Sequence, residues 1–173
     1  MQYIDLHCDT VTRCADGGLD FYGGGVMACV EKLQKGGCLA QCFAVFTQGA
    51  DRDKFAFYVN YYKEQLKKYS NSVLPVTCGA DFFRAEKEGK VGAVLTVENL
   101  GFLKGDLSGL EILGGYGVKM ASLVWNYQNE LAFPNLIFKD GLPLFKNRES
   151  RGLTASGAEA VEMLDGMKII VDI

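Results

Sequence analysis

The sequence predicts an α/β protein, a partial (β/α)8 TIM-type barrel amounting to about the N-terminal half. Three observations carry this. Apolar, β-prone runs alternate with helix-period stretches about four times before a last run, the order that gives a parallel sheet with helices outside it. Two of the runs, residues 38–46 and 91–98, are almost continuously apolar, as strands buried on both faces are. The chain has 173 residues, whereas a whole barrel takes about 250. An open doubly wound sheet satisfies the same alternation, so the pattern alone leaves two architectures.

Each element has a local reason. Residues 3–10 begin with β-prone residues and no turn former, which predicts a strand. Asp16-Gly17-Gly18 and Gly23-Gly24-Gly25 then mark loop. The triple glycine is followed by no Gly-Lys-Ser/Thr, so it is not a phosphate cradle of the P-loop kind. Residues 26–34 predict a short helix, ended by basic Lys35 and by Gly36-Gly37. The run 38–46 is the second strand.

Residues 51–69 predict the clearest helix. Phe55, Tyr58, Val59, Tyr62, Leu66 and Tyr69 fall on one stripe at helical spacing, and core packing is the stronger reading of that stripe than docking. In 73–77, Pro75 removes a ladder donor and predicts an edge or irregular strand. Asp81 is placed to cap a helix through Glu88, with Gly89 just past its end. The run 91–98 is a buried strand finishing in the carboxylate of Glu98. Residues 107–116 predict a helix closed by Gly117, and 118–125 the next strand. Residues 126–151, with Pro134 and Pro143, read as one long loop, and loops of such length are usually functional. Ser156 and Glu159 have capping-box spacing and open a helix through Leu164 that Gly166 ends. Residues 168–173 begin a further strand.

Bulk properties narrow the function. A net charge of −3 argues against a general nucleic-acid or membrane-surface binder. No run of about 18 apolar residues offers a membrane span. The first residues, Met1-Gln2-Tyr3-Ile4-Asp5, have neither the basic segment nor the long apolar segment of a signal peptide. The expected location is therefore cytoplasmic. The six cysteines, which form no Cys-x-x-Cys pair, are expected to be reduced and mostly buried.

The chemistry is concentrated at the start. Side chains alternate along a strand, so His7 and Asp9 are expected to share a face. An imidazole and a carboxylate so placed can reach one divalent cation, and both suit zinc at about 2.0–2.2 Å. His7 is the only histidine of the chain. A hydrogen-bonded histidine at a strand end is the alternative reading of the pair.

Four blocks then resemble one family in the right order. Asp5-Leu6-His7-Cys8-Asp9-Thr10 is similar to the opening of the membrane dipeptidase (renal dipeptidase-like, M19) metallopeptidases, among the amidohydrolase-type barrels. Lys35-Gly36-Gly37-Cys38-Leu39-Ala40-Gln41 resembles the Gly-Gly-x-x-x-Gln start of that family's second strand. Gly89-Lys90-Val91-Gly92-Ala93 through Val97-Glu98 resembles the strand that delivers its bridging glutamate. Gly152-Leu153-Thr154-Ala155-Ser156-Gly157, followed by Gly166-Met167-Lys168-Ile169-Ile170-Val171-Asp172, resembles its most recognisable block.

The resemblance implies zinc-dependent hydrolysis of dipeptides, with His7 and Asp9 on one zinc and Glu98 bridging to a second. It also implies a substrate contact around Trp125 and Asn126. Some relatives carry a histidine at the Trp125 position, and Trp125 cannot supply the same polar contact. The family's remaining histidine ligands have no counterpart here, so residues 1–173 are expected to be the N-terminal part of one metallopeptidase domain, truncated at its C-terminal end. Such a chain is expected to hold at most one zinc and to be inactive alone. Its unpaired strand edges could lead to a homo-oligomer. The expected partner is a dipeptide, with neither nucleic acid nor membrane. The alternatives are a non-catalytic partial barrel that acts as a binding or interaction module, and an open-sheet domain whose His-x-Asp is incidental.

Overall fold

The structure is a computed structural model that describes residues 2–23, 25–48, 52–139, 142–144 and 152–173. Its elements follow the chain as β1 (Tyr3–Cys8), α1 (Thr10–Gly17), α2 (Val30–Lys35), β2 (Cys38–Phe46), α3 (Arg52–Lys68), β3 (Val73–Pro75), α4 (Gly79–Glu88), β4 (Val91–Glu98), α5 (Glu111–Tyr116), β5 (Met120–Ser122), β6 (Ile137–Lys139), β7 (Leu142–Leu144), α6 (Ala155–Gly166) and β8 (Ile170–Asp172). Strand pairing runs β1-β2-β4-β5-β8, with β3 pairing β4 off that path. The pairs β1–β2, β3–β4 and β5–β8 are parallel. Parallel strands joined through helices are the order of a partial TIM-type barrel.

By contact density the chain divides into two units, residues 1–46 with 53–96, and residues 47–52 with 97–173. In the first, the core lies between the strands and α3. Phe55, Tyr58, Val59, Tyr62 and Leu66 are all buried along α3, as their spacing predicts. Tyr62 packs near the rings of Phe21 and Phe43, and its hydroxyl donates to the Ala93 carbonyl at 3.1 Å. β4 is buried along nearly its whole length. β1 is not: Tyr3, Ile4 and Leu6 are exposed. In the second unit Leu100, Phe102, Leu103, Leu110, Leu113 and Leu164 are buried together with Ala121 of β5. α6 approaches the chain closely there, because a Cβ on Gly157 would stand 1.9 Å from the Leu131 carbonyl oxygen.

Several elements differ from expectation for identifiable reasons. Residues 10–17 form α1, where the glycines at 17 and 18 had marked only loop. Those glycines end the helix instead, Gly18 taking the left-handed conformation at φ 58°. α2 begins at Val30 rather than Val26. Asp81 is not the N-cap of α4 but sits inside its first turn. From there its carboxylate accepts from the N–H groups of Thr77 and Cys78 at 2.7 and 3.1 Å. The N-cap of α6 is Thr154, whose hydroxyl accepts from Gly157 N–H at 3.0 Å, so Ser156 and Glu159 fall within the helix. The predicted strand 118–125 shortens to β5. The long segment 126–151 carries the antiparallel pair β6–β7, while residues 140, 141 and 145–151 lie outside the described residues. All six cysteines are free thiols, and four are buried, but Cys78 is exposed.

Candidate metal centre

His7 and Asp9 reach the same point by a route other than simple alternation. Against β2, Asp5 stands opposite Gln41 and Cys8 opposite Phe43, three steps on one strand facing two on the other. Such an extra residue bends a strand and re-aims its side chains. The Asp5 carboxylate takes the N–H of His7 at 3.0 Å within the bend. Asp9 lies past the end of β1, immediately before α1, with φ −89° and ψ 18°. Its carbonyl accepts from Arg13 N–H at 3.1 Å, which locks its backbone into the first turn. Its carboxylate Oδ1 stands 3.5 Å from His7 Nε2.

α1 is in turn held on α3. Asp16 accepts from Lys54 at 2.6 Å and from the Tyr58 hydroxyl at 2.7 Å. Asp20, in the loop after α1, accepts from the Tyr69 hydroxyl, from Lys68 and from two backbone N–H groups. Led by the Tyr69 hydrogen bond, these partners hold the Asp20 carboxyl well below the usual carboxylate range. The helix that Asp9 begins is thus tied down along its length.

Glu98 is the last residue of β4, and it is half-buried. His7 and Asp9 belong to the first unit and Glu98 to the second. The fit to a cation can be judged from the donors. Tetrahedral ligands at about 2.1 Å stand roughly 3.4 Å apart, close to the 3.5 Å between His7 and Asp9. An imidazole and a carboxylate form a nitrogen–oxygen pair suited to zinc. Cys8 lies between His7 and Asp9 in sequence. Burial pushes its thiol up to about 11, so it keeps its proton at neutral pH.

Trp125 and Asn126 fall elsewhere. They line a cavity of about 440 Å³ within the second unit, together with Leu123, Phe133, Leu153 and Asp172 among others. Its walls are mainly apolar side chains, and Trp125 packs near Tyr127 with ring centroids 6.0 Å apart. None of His7, Asp9 and Glu98 is among its described lining residues. Asp172, at the end of β8, is a polar lining residue that the sequence reading did not single out. Its visible signal was its place at the end of a strand.

No described helix is long and apolar enough to cross a membrane. The model of the family described as Membrane dipeptidase (Peptidase family M19) matches residues 1–173. A search of curated proteins returned no match. Among solved structures, the chain is similar to the dipeptidase AC, a metallopeptidase of family M19. The TM-score is 0.82 at 15% identity, over 99% of this chain and 56% of that one. It is also similar to a metallopeptidase from Rhodobacter sphaeroides liganded with a phosphinate mimic of the dipeptide L-Ala-D-Ala. There the TM-score is 0.81 at 14% identity, over 99% and 58%. The probable dipeptidase PvdM from Pseudomonas aeruginosa gives 0.74 at 21% identity, over 88% and 41%. The chain therefore spans between 41% and 58% of the length of these structures.

Proposed function

This chain belongs to the membrane dipeptidase family, peptidase family M19, and from that premise we propose that it contributes part of a zinc site for the hydrolysis of dipeptides. The observation that carries the reading is the approach of the Asp9 carboxylate to 3.5 Å from His7 Nε2 on a chain of this family; Glu98 joins them by the family resemblance. His7 supplies a neutral nitrogen donor, and Asp9 is fixed beside it by the start of α1. Glu98 has two carboxylate oxygens, so it is the residue able to face a second ion as well. A cation held by these residues would supply Lewis acidity toward a carbonyl and would lower the pKa of a bound water, the chemistry that amide hydrolysis needs.

With one histidine in 173 residues, this chain holds at most one zinc. A two-metal site needs further ligands. The cavity beside Trp125 takes an apolar side chain of the dipeptide and excludes water around it. Asn126, with a donor and an acceptor on one amide, orients the dipeptide backbone. The six free thiols fit a reducing, cytoplasmic setting. The exposed apolar residues of β1 favour association with further strands, its own continuation or a second copy.

The test is turnover of a simple dipeptide by two proteins, this chain alone and a chain extended to the full length of its relatives. Turnover is expected only from the extended protein, and Trp125→Ala in it should raise KM more than it lowers kcat. Two tightly bound zincs and turnover from the 173 residues alone would overturn the assignment of ligands.

A further inference from the structure

The residue after Glu98 is held in a backbone conformation that side chains rarely adopt. Asn99 has φ 69° and ψ 102°. A positive φ is uncommon for any residue but glycine, and this ψ lies beyond the left-handed helical region where asparagine is tolerated. Such a conformation persists only where its surroundings over-determine it.

Here the surroundings do. The Asn99 N–H donates to Ser122 Oγ at 3.0 Å, tying the turn to the last residue of β5. Its side-chain oxygen accepts from Gly101 N–H and from Asn129 Nδ2, each at 3.0 Å. Asn129 is itself fully committed. Its amide nitrogen also donates to the Leu123 carbonyl at 2.7 Å, and its oxygen accepts from the N–H groups of Leu131 and Ala132 at 2.9 and 3.0 Å. An amide with both protons and both lone pairs used has one orientation. The space is equally committed, since a Cβ on Gly101 would stand 3.0 Å from Asn99 Oδ1 and 3.4 Å from Asn129 Nδ2.

We infer that the Ser122–Asn99–Asn129 network is a positioning device for Glu98: it fixes the chain where it leaves β4 and so sets the direction of the Glu98 carboxylate toward the metal. This rests on the reading of Glu98 as a metal ligand. The network acts through the backbone that follows Glu98. A turn that merely ended a strand would need neither the strained Asn99 nor the asparagine 30 positions further along the chain.

The experiment is zinc affinity by competition with a chromophoric chelator, measured on this chain beside its thermal midpoint without metal. Asn129→Ala is expected to weaken zinc binding by about 10–100-fold, the range seen when groups supporting metal ligands are removed. Ser122→Ala should weaken it less, and Ser122→Thr, which keeps the hydroxyl, should restore it. Asp106→Ala, which removes the cap from the neighbouring 3₁₀ turn at Ser108, is the control for lost stability. If Asn129→Ala weakens zinc binding no more than Asp106→Ala does, the inference is overturned. If Asn129→Ala does not fold, the same comparison is decided by Ser122→Ala, which deletes a single hydrogen bond. Glu98→Gln separates the two levels. If it leaves zinc affinity unchanged, the metal reading itself fails; if it weakens binding while the network variants do not, only the positioning role fails.

Discussion

Tyr62 joins α3 to β4, and its truncation measures how firmly the first unit is held. The side chain is 4% exposed. Its ring lies 6.1 Å from Phe43 and 6.4 Å from Phe21, edge-on to the latter. Removing a buried aromatic side chain to alanine costs about 3–5 kcal/mol, from lost transfer energy and the cavity left behind. The hydroxyl is a smaller part. The Ala93 carbonyl that accepts it also accepts from Val76 N–H at 2.8 Å, so Tyr62→Phe leaves no orphaned acceptor and should cost about 0.5–1.5 kcal/mol. Urea unfolding followed by circular dichroism separates the two variants. In a chain of this size, Tyr62→Ala should lower the melting temperature by roughly 6–20 °C. Tyr62→Phe should leave zinc affinity as it is. A Tyr62→Ala cost below about 1 kcal/mol, or equal costs for the two variants, would refute the reading of the aromatic stripe as core.

Further expectations follow from single features. Asp81→Ala should cost about 1–2 kcal/mol at neutral pH, because it strips two N–H groups before α4 of their acceptor. The backbone hydrogen bond from Thr77 leads the causes that bring the Asp81 carboxyl down to about 2 from its ordinary 3.8. With the folded value depressed, the stabilisation is present above about pH 4 and is lost as the pH falls through 2, where the variant and the parent should converge in pH-dependent unfolding. Gly157→Ala should destabilise the second unit by about 1–3 kcal/mol in urea melts, because the new methyl would overlap the Leu131 carbonyl; an unchanged midpoint would mean that α6 does not approach Leu131 so closely.

How much of this was legible beforehand depends on where the determinants sit. The stripe from Phe55 to Leu66 and the apolar run of β4 follow from periodicity alone, since burial acts on every residue of a repeated pattern. His7 and Asp9 were legible as a pair, but the reason they meet was not. Alternation on one strand gave the right neighbours through the wrong geometry, because the bend at Asp5–Cys8 and the start of α1 depend on the register with β2. The place of Glu98 at the end of β4 was legible from the apolar run before it. The partnership of Asn99 with Asn129 was not, because nothing local links residues 30 apart in sequence. Caps were the weakest point. Cap-forming residues stood near the starts of α4 and α6, but which one occupies the N-cap is decided by the turn before the helix.

The central claim is that His7, Asp9 and Glu98 act together on one ion, and calorimetric titration of the chain with zinc tests it most directly. One zinc per chain is predicted for the parent, with binding lost or reduced by at least about tenfold in each of His7→Ala, Asp9→Ala and Glu98→Gln. Stoichiometric binding that survives Glu98→Gln undiminished would contradict the claim.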